Sequence, residues 1–425
     1  MIGSEAHAVE PVAGPLDATV VVPGSKSVTN RALACAALAT GTSTLTNALV
    51  ADDTEAMADC LRRLGMAVTA DGGGTTLVVD GCGGAIPASS ATLDVRASGT
   101  TARFVAPLAA LGKGRFVLDG SRRMRERPMA DLVVAMRALG VAVTGEHLPI
   151  VVDADGLVGG TVAIAADVSS QFASGLLLAG PAMTRGLQLR LTTEPVSRPY
   201  LELTVDVMRS FGASVAVNQS GLGYDVAAGG YRAIDYAVEP DASAAAYFFA
   251  AAAICGGRVT VPGLGRRSHQ GDLGFVGLLA RMGATVEQTD HDTTVIGARP
   301  LHGVEADLSG LSDTAATLAV TAAFASTPTR VTGVGFTRAK ESDRVGGVVT
   351  ELRRLGIDAV EEEDGFVVRP GPFRPGRIET YDDHRMAMSF ALVGLRVPGI
   401  EIADPGCVAK TFPGFFEVLD SLRVP

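Results

Sequence analysis

The stretch VVPGSKSVTNRALACAALAT, residues 21–40, gathers Lys26, Ser27, Thr29, Asn30 and Arg31 into one short turn ahead of a long apolar run. A P-loop needs a glycine five residues before its second one, but Thr19 stands five before Gly24, and Ser25 separates Gly24 from Lys26. Nucleoside triphosphate binding thus loses its main support. The turn opens the helix that Arg31 to Leu38 would form, where free backbone N–H groups, the helix dipole and Lys26 together favour an anion. A plain cap beside a solvated lysine is the competing reading. Further polar clusters follow. RASGTTARF spans 96–104, and SRRMRERPM at 121–129 sets Arg122, Arg123, Arg125 and Arg127 around Glu126, a density of like charge that repels itself unless anions or carboxylates lie nearby. SSQF at 169–172 and SRPY at 197–200 offer hydroxyl and amide groups suited to a hydroxyl-rich substrate. Asp313 heads an apolar helix, where a cap is the simpler explanation. RAKESDR at 338–344 supplies Lys340, Glu341, Asp343 and Arg344, YDDHRMAMSF places Arg385 at a helix start, and Lys410 precedes Thr411 and Pro413. Basic residues at helix starts with acids among them suit a reaction between two multiply anionic small molecules, with proton transfer and no need of a metal or redox cofactor.

The whole chain narrows the setting. Its 425 residues, 47% hydrophobic and 19% charged, allow two or three domains with full cores. A net charge of −10 argues against nucleic acid, which needs a basic field, but not against small anions that answer to local charge. The N-terminus carries acids where a targeting peptide would be basic, and the longest apolar run, 244–255, is too short for a bilayer, so a cytoplasmic location is expected. Five scattered cysteines and six histidines without ligand spacing indicate neither a disulfide framework nor a zinc site. Of 36 basic residues only four are lysine, and three of these, Lys26, Lys340 and Lys410, fall in the polar clusters. In a chain this biased to arginine, such lysines mark places where a compact ammonium is wanted.

Five segments that would hold these clusters in place read alike: LRRLGMAVTA, MRALGVAVTG, MRSFGASVAV, LARMGATVEQ and LRRLGIDAVE. Their glycines, Gly65, Gly140, Gly212, Gly283 and Gly356, are separated by 75, 72, 71 and 73 residues. Each reads as the end of an amphipathic helix, an arginine near its negative pole, a glycine at C′, and then a strand. A period near 72 gives almost six units, three to a half. The sixth helix, 415–423, ends where its glycine is due, so the strand LDATVVV at 16–22 is expected to complete that unit. Two similar domains, with chain crossings near Val22–Gly24 and Tyr231–Asp241, would leave a hinged cleft for ligand.

Taken together and in order, PGSKSVTNRAL, SGTTARF, RMRERPM, SSQF, SRPY, EPDASAAAYFFAAA, QGD, SDTAAT, KESDR, DHRMAM and AKTFPGFFE resemble the 5-enolpyruvylshikimate-3-phosphate synthase family over residues 23–417. The resemblance implies an α/β (α+β) fold of two domains, 23–236 and 1–22 plus 237–425, each of three βαβαββ units hinged around an interdomain cleft. The activity it implies is transfer of the enolpyruvyl group of phosphoenolpyruvate to the 5-hydroxyl of shikimate 3-phosphate, in the shikimate pathway to aromatic amino acids. By resemblance, shikimate 3-phosphate is bound by Lys26, Ser27, Arg31, Ser169, Ser170, Gln171, Ser197, Tyr200, Asp313 and Lys340. Phosphoenolpyruvate is bound by Lys26, Gly99, Arg123, Gln171, Arg344, Arg385 and Lys410. Asp313 matches the base for the hydroxyl proton, Glu341 the group that exchanges the methyl proton, and Lys26 is a shared catalytic candidate. No cofactor or metal, no nucleic acid or membrane partner, and a monomer are implied. Two positions depart from the family: Ala97 replaces a common asparagine, and Phe336 replaces an asparagine that contacts shikimate 3-phosphate. Because Gly99 is not alanine, the chain resembles glyphosate-sensitive members. The rival readings are a UDP-N-acetylglucosamine enolpyruvyl transferase, whose loop cysteine and motifs do not match, and a non-catalytic anion-binding protein, which would have no use for proton donors.

Overall fold

The computed structural model describes residues 6–71 and 74–423, so residues 1–5, 72–73 and 424–425 of the two expected domains lie outside the described residues. The chain divides into two compact units, Gly24–Glu239 and Met1–Pro23 with Pro240–Pro425. The described residues form six small sheets, three to a unit.

In the unit Gly24–Glu239 one plan recurs. Strand Ser90–Asp94 runs parallel to Lys113–Asp119, which pairs antiparallel with Ile150–Asp155 and through it with Ala142–Thr144. Gly160–Ile164, Leu187–Leu191, Gly223–Val226 and Val215–Val217 repeat that order. In the third sheet the first-strand place is filled from the end of the unit, by Tyr231–Arg232 and Asp235–Ala237 beside Ala39–Thr46. The helices differ by role. Lys26–Leu38, Gly99–Ala110 and Ser170–Ala179 pack on one another, and Gly99–Ala110 is buried at every position. A helix buried all round is mostly apolar, which explains its Ala, Val, Leu and Phe content, while Thr100, Thr101 and Arg103 in its first turns are buried with hydrogen-bond partners. The outer helices are amphipathic: Asp52–Arg63 opens on Asp52, Asp53 and Glu55 and closes on Arg62 and Arg63, each end matched to the dipole. Gly65, Gly140 and Gly212 follow the outer helices with φ of 98°, 88° and 87°, the left-handed conformation that lets each helix end and a strand begin.

The other unit uses the same plan around Ala242–Cys255, Ala315–Ala323 and His384–Gly394. The N-terminal strands correct one expectation. Leu16–Thr19 does not complete the sixth unit; it runs parallel to Gly257–Val261 as the first strand of the fourth. The sixth sheet already has a first strand in Gly376–Ile378, parallel to Ile400–Ile402. The open antiparallel side of Ile400–Ile402 is taken by His7–Val9, with Val9 opposite Ile400. Both N-terminal strands are only three or four residues long, so only pairing tells them apart. Among the described residues no helix is long and apolar enough to cross a membrane.

Inner helices this close tolerate little added bulk. A Cβ on Gly175 would fall well inside contact distance of the Arg103 carbonyl oxygen. Helix propensity alone predicts a gain of about 1 kcal/mol for Gly175→Ala. The close approach predicts the opposite sign, a loss of about 1–3 kcal/mol, because backbone on the neighbouring helix has to move. Urea unfolding of the two proteins decides the sign, and a stabilised variant would show that the inner helices are free to separate.

Candidate functional site

In the unit Gly24–Glu239 the predicted residues stand at the starts of its inner helices. Ser25, Ser98 and Ser169 cap these helices, their hydroxyls accepting from the N–H groups of Val28, Thr101 and Gln171. Serine caps keep the first turn free of fixed negative charge, so the helix ends remain available to anions. Lys26 lies 3.5 Å from Asp53, both side chains largely buried. Ser170 is buried and Ser27 half-buried beside them.

Arg31 is fully buried and braces its neighbours. Its Nε donates to Thr204 Oγ1 at 2.8 Å, its two Nη groups to the carbonyls of Ser27 and Tyr200 at 3.0 Å each. The guanidinium lies 5.3 Å from the Phe104 ring centre and 5.8 Å from that of Tyr200. Burial lowers its pKa to about 10, yet it stays charged at neutral pH. Arg31 therefore holds Ser27 and Tyr200 in register across two helices. Ser197 is buried just before helix Pro199–Ser210.

Gln171 is fixed at both ends of its amide: Nε2 donates to Thr100 Oγ1 and Oε1 accepts from Arg103 Nη1, each at 3.1 Å. Arg103 also donates to the Pro128 carbonyl at 2.9 Å. Gly99 sits against two guanidinium groups: a Cβ there would overlap Arg103 and lie 2.7 Å from Arg127 Nη2. The four-arginine run thus separates into different roles. Arg122 and Arg123 pair with Glu126 on the surface, Arg125 pairs with Asp119, and Arg127 is buried beside Gly99. Arg123, the arginine expected at the site, is the more exposed. Asp53, Thr100, Arg103 and Arg127 were not singled out for binding; SGTTAR and RERP were the available signal for the last three, and Asp53 stands in no such motif.

The unit formed by the N-terminal strands and Pro240 onward gathers a denser cluster. Asp313 lies in the turn Ser312–Thr314, and its carboxylate accepts from Lys340 Nζ at 2.8 Å, Arg344 Nη1 at 3.0 Å and Arg385 Nη2 at 2.7 Å. Arg344 in turn donates to Glu341 at 3.0 Å and, through Nε, to Asp383 at 2.8 Å. Asp383, fully buried, also caps helix His384–Gly394 by accepting from the Arg385 N–H, and takes the Ser342 hydroxyl at 2.9 Å. Asp383 and Tyr247, which Arg385 reaches at 3.2 Å, were missed. Asp383 was legible as the residue two before Arg385 at a helix start.

Burial works to lower the Arg344 pKa, but Asp383, Glu341 and Asp313 outweigh it and raise it above the usual guanidinium value. Lys340 goes the other way: burial lowers its pKa, and Asp313 offsets only part of the drop. The Lys340 ammonium also lies 5.3 Å from the Phe336 ring centre, so the aromatic ring faces the cation where an asparagine was expected. Lys410 is buried at the end of the turn Pro405–Lys410. Phe412 and Phe415 lock the following segment onto Phe248 of helix Ala242–Cys255, at ring distances of 6.1 and 5.9 Å.

Backbone strain concentrates at these positions. Arg96 precedes the Ser98 cap with φ 51°, Ser197 has φ 53°, Tyr381 and Asp382 precede the Asp383 cap with φ 56° and 55°, and Asp404 precedes Pro405–Lys410 with φ 45°. Each costs on the order of 1–3 kcal/mol and persists only where the surroundings enforce it.

Two helix-start clusters of this kind, rich in cations with carboxylates among them, can bind phosphate and carboxylate groups and hold proton acceptors beside them. A family model described as EPSP synthase (3-phosphoshikimate 1-carboxyvinyltransferase) matches residues 12–419. The 3-phosphoshikimate 1-carboxyvinyltransferase of Nostoc punctiforme is 46% identical, with 95% of each chain covered. That of Methanoculleus marisnigri is 44% identical, covering 96% of this chain and 97% of the relative. Among solved structures, an EPSP synthase from Acinetobacter baumannii superposes with a TM-score of 0.83 at 28% identity, covering 99% of this chain and 98% of that one. With a match across nearly its whole length, the chain belongs to the EPSP synthase family.

Proposed function

We infer that this protein transfers the enolpyruvyl group of phosphoenolpyruvate to the 5-hydroxyl of shikimate 3-phosphate and releases phosphate, as a cytoplasmic monomer in aromatic amino-acid biosynthesis. The observation that carries the reading is the Asp313 carboxylate gripped by Lys340, Arg344 and Arg385, in a chain of this family. In the reaction the hydroxyl oxygen attacks C2 of phosphoenolpyruvate while a proton is added to its methylene carbon. The tetrahedral intermediate then loses phosphate as a methyl proton is removed. The proposed roles follow the family: shikimate 3-phosphate lies against Lys26, Ser27, Arg31, Ser169, Ser170, Gln171, Ser197, Tyr200, Asp313 and Lys340. Phosphoenolpyruvate lies against Lys26, Gly99, Arg123, Gln171, Arg344, Arg385 and Lys410.

Electrostatics gives this arrangement a logic. Without substrate, Lys340, Arg344 and Arg385 hold the Asp313 carboxylate. In this reading the carboxylate and phosphate of phosphoenolpyruvate engage Arg344 and Arg385, which frees Asp313 oxygens to meet the hydroxyl proton. Glu341, beside Arg344, is positioned in the reading to exchange the methyl proton. The domain spans 23–236 and 1–22 plus 237–425 then correspond to a shikimate 3-phosphate side and a phosphoenolpyruvate side. Inhibition by glyphosate, competitive with phosphoenolpyruvate, belongs to the same reading.

Purified protein should release inorganic phosphate only when both substrates are present, and not with UDP-N-acetylglucosamine as acceptor. Asp313→Asn, which keeps the shape and removes the base, should lower kcat by about 10²–10⁴-fold. Full turnover by that variant would remove Asp313 from the chemistry. Gly99→Ala should act differently, raising KM for phosphoenolpyruvate because its Cβ displaces Arg103 and Arg127; an unchanged KM in steady-state assays would show that neither guanidinium is needed for binding. The lowered pKa of Lys340 sets a pH limit. Its ammonium is lost as pH rises through a value below that of an ordinary lysine, so affinity for shikimate 3-phosphate should fall on the alkaline side. Lys340→Arg should move that limb to higher pH, and identical pH profiles for the two proteins would assign the limb to another group.

A further inference from the structure

Tyr247 of helix Ala242–Cys255 reaches Arg385 of the substrate cluster, and the helix ends about 12 Å further along, at a separate pocket. This pocket has a volume of about 450 Å³ and is lined by the loop 12–15, Cys255, Gly256, Gly257, Gly297, Arg299 and Arg396. That volume falls within the range of small-ligand sites. Arg299 Nη2 donates to the Ile254 carbonyl at 3.2 Å and to that of Cys255, and Arg396 Nη1 donates to the same Ile254 carbonyl at 2.8 Å. One oxygen thus holds two guanidinium groups side by side. A helix C-terminus offers only about half an elementary negative charge, which cannot balance two cations. Among the described residues neither arginine forms an ion pair, and no carboxylate lines the pocket.

A structural cap would need only one such arginine on the last carbonyls. Both side chains are exposed, and each guanidinium keeps Nε and one Nη without a protein acceptor and open to a ligand from solvent. The backbone N–H groups of Ala13 and Gly14 in the facing loop are likewise without an acceptor among the described residues. Burial raises the Cys255 pKa to about 11, against the pull of Arg396 and Arg299, so the thiol adds no competing negative charge at neutral pH. Val12, Pro15 and the Cys255 side chain supply an apolar wall.

We propose that this pocket binds a small phosphate monoester, its dianionic phosphate bridging Arg299 and Arg396 and its organic group lying against Val12 and Pro15. Two unit charges on the protein match the two on the phosphate, and its oxygens can accept from both guanidinium forks and the loop N–H groups at once. The site is distinct from the Asp313 cluster, so occupancy there leaves the reacting groups unobstructed.

Calorimetric titration of sn-glycerol 3-phosphate into the full chain tests this, with R299Q/R396Q, R396Q alone and K340Q/R385Q run in parallel. R396Q leaves Arg299 on both helix carbonyls and guards against a folding defect, and phosphate release from the two substrates reports that R299Q/R396Q remains intact. The expected result is binding that survives in K340Q/R385Q and weakens by at least about tenfold in R396Q and R299Q/R396Q. No binding to the wild type, equal binding to R299Q/R396Q, or loss only in K340Q/R385Q would each overturn the proposal. Malonate serves as the carboxylate arm, and tighter binding of malonate than of the ester would overturn the assignment of a phosphate.

Discussion

The Arg344–Asp383 pair is the contact on which the catalytic-side cluster depends. Asp383 is fully buried and Arg344 nearly so, and one carboxylate does three things at once. It neutralises the guanidinium, caps helix His384–Gly394 and accepts the Ser342 hydroxyl. A buried charge left alone costs about 3–5 kcal/mol, so the pair cannot be loosened piecemeal. Because Arg344 opens one helix and Arg385 belongs to the next, their common tie to Asp383 sets the spacing of two cations that both reach Asp313.

The other unit solves the same problem with fewer charges. Serine caps leave helix starts open, Arg31 ties the Lys26 turn to Tyr200, and Gln171 is held between Thr100 and Arg103. Small residues on the inner helices make this possible, since Gly175 lets one helix lie against the Arg103 backbone and Gly99 lets two guanidinium groups approach a third helix start. Packing and polar chemistry are therefore coupled at particular glycines. Enlarging either side chain disturbs the placement of Arg103 as well as the core.

Much of this was legible beforehand for a physical reason. A helix end needs a residue that tolerates positive φ, so the recurring glycines from Gly65 to Gly356 announced the units, and buried helices announced themselves by long runs of small and apolar residues. Chemistry was legible where short motifs concentrate unusual charge, as in KESDR and DHRMAM. Individual jobs were less so. Asp313 looked like a cap because a carboxylate before an apolar helix has that local pattern, whether or not three cations converge on it from distant segments. Phe336 looked like a lost contact, yet its ring lies near the Lys340 ammonium.

By itself, then, the sequence determined the repeat, the family and the residue types that meet anions, because propensity, periodicity and motif chemistry are local properties of a chain. Tertiary structure alone decided which N-terminal strand closes the sixth sheet, which of four clustered arginines is buried beside Gly99, and which three cations meet Asp313. It also brought Arg299 and Arg396 to one carbonyl, though they stand far apart in sequence. Each of these depends on pairing between segments tens to hundreds of residues apart, and such contacts leave no mark in either partner's own stretch of sequence.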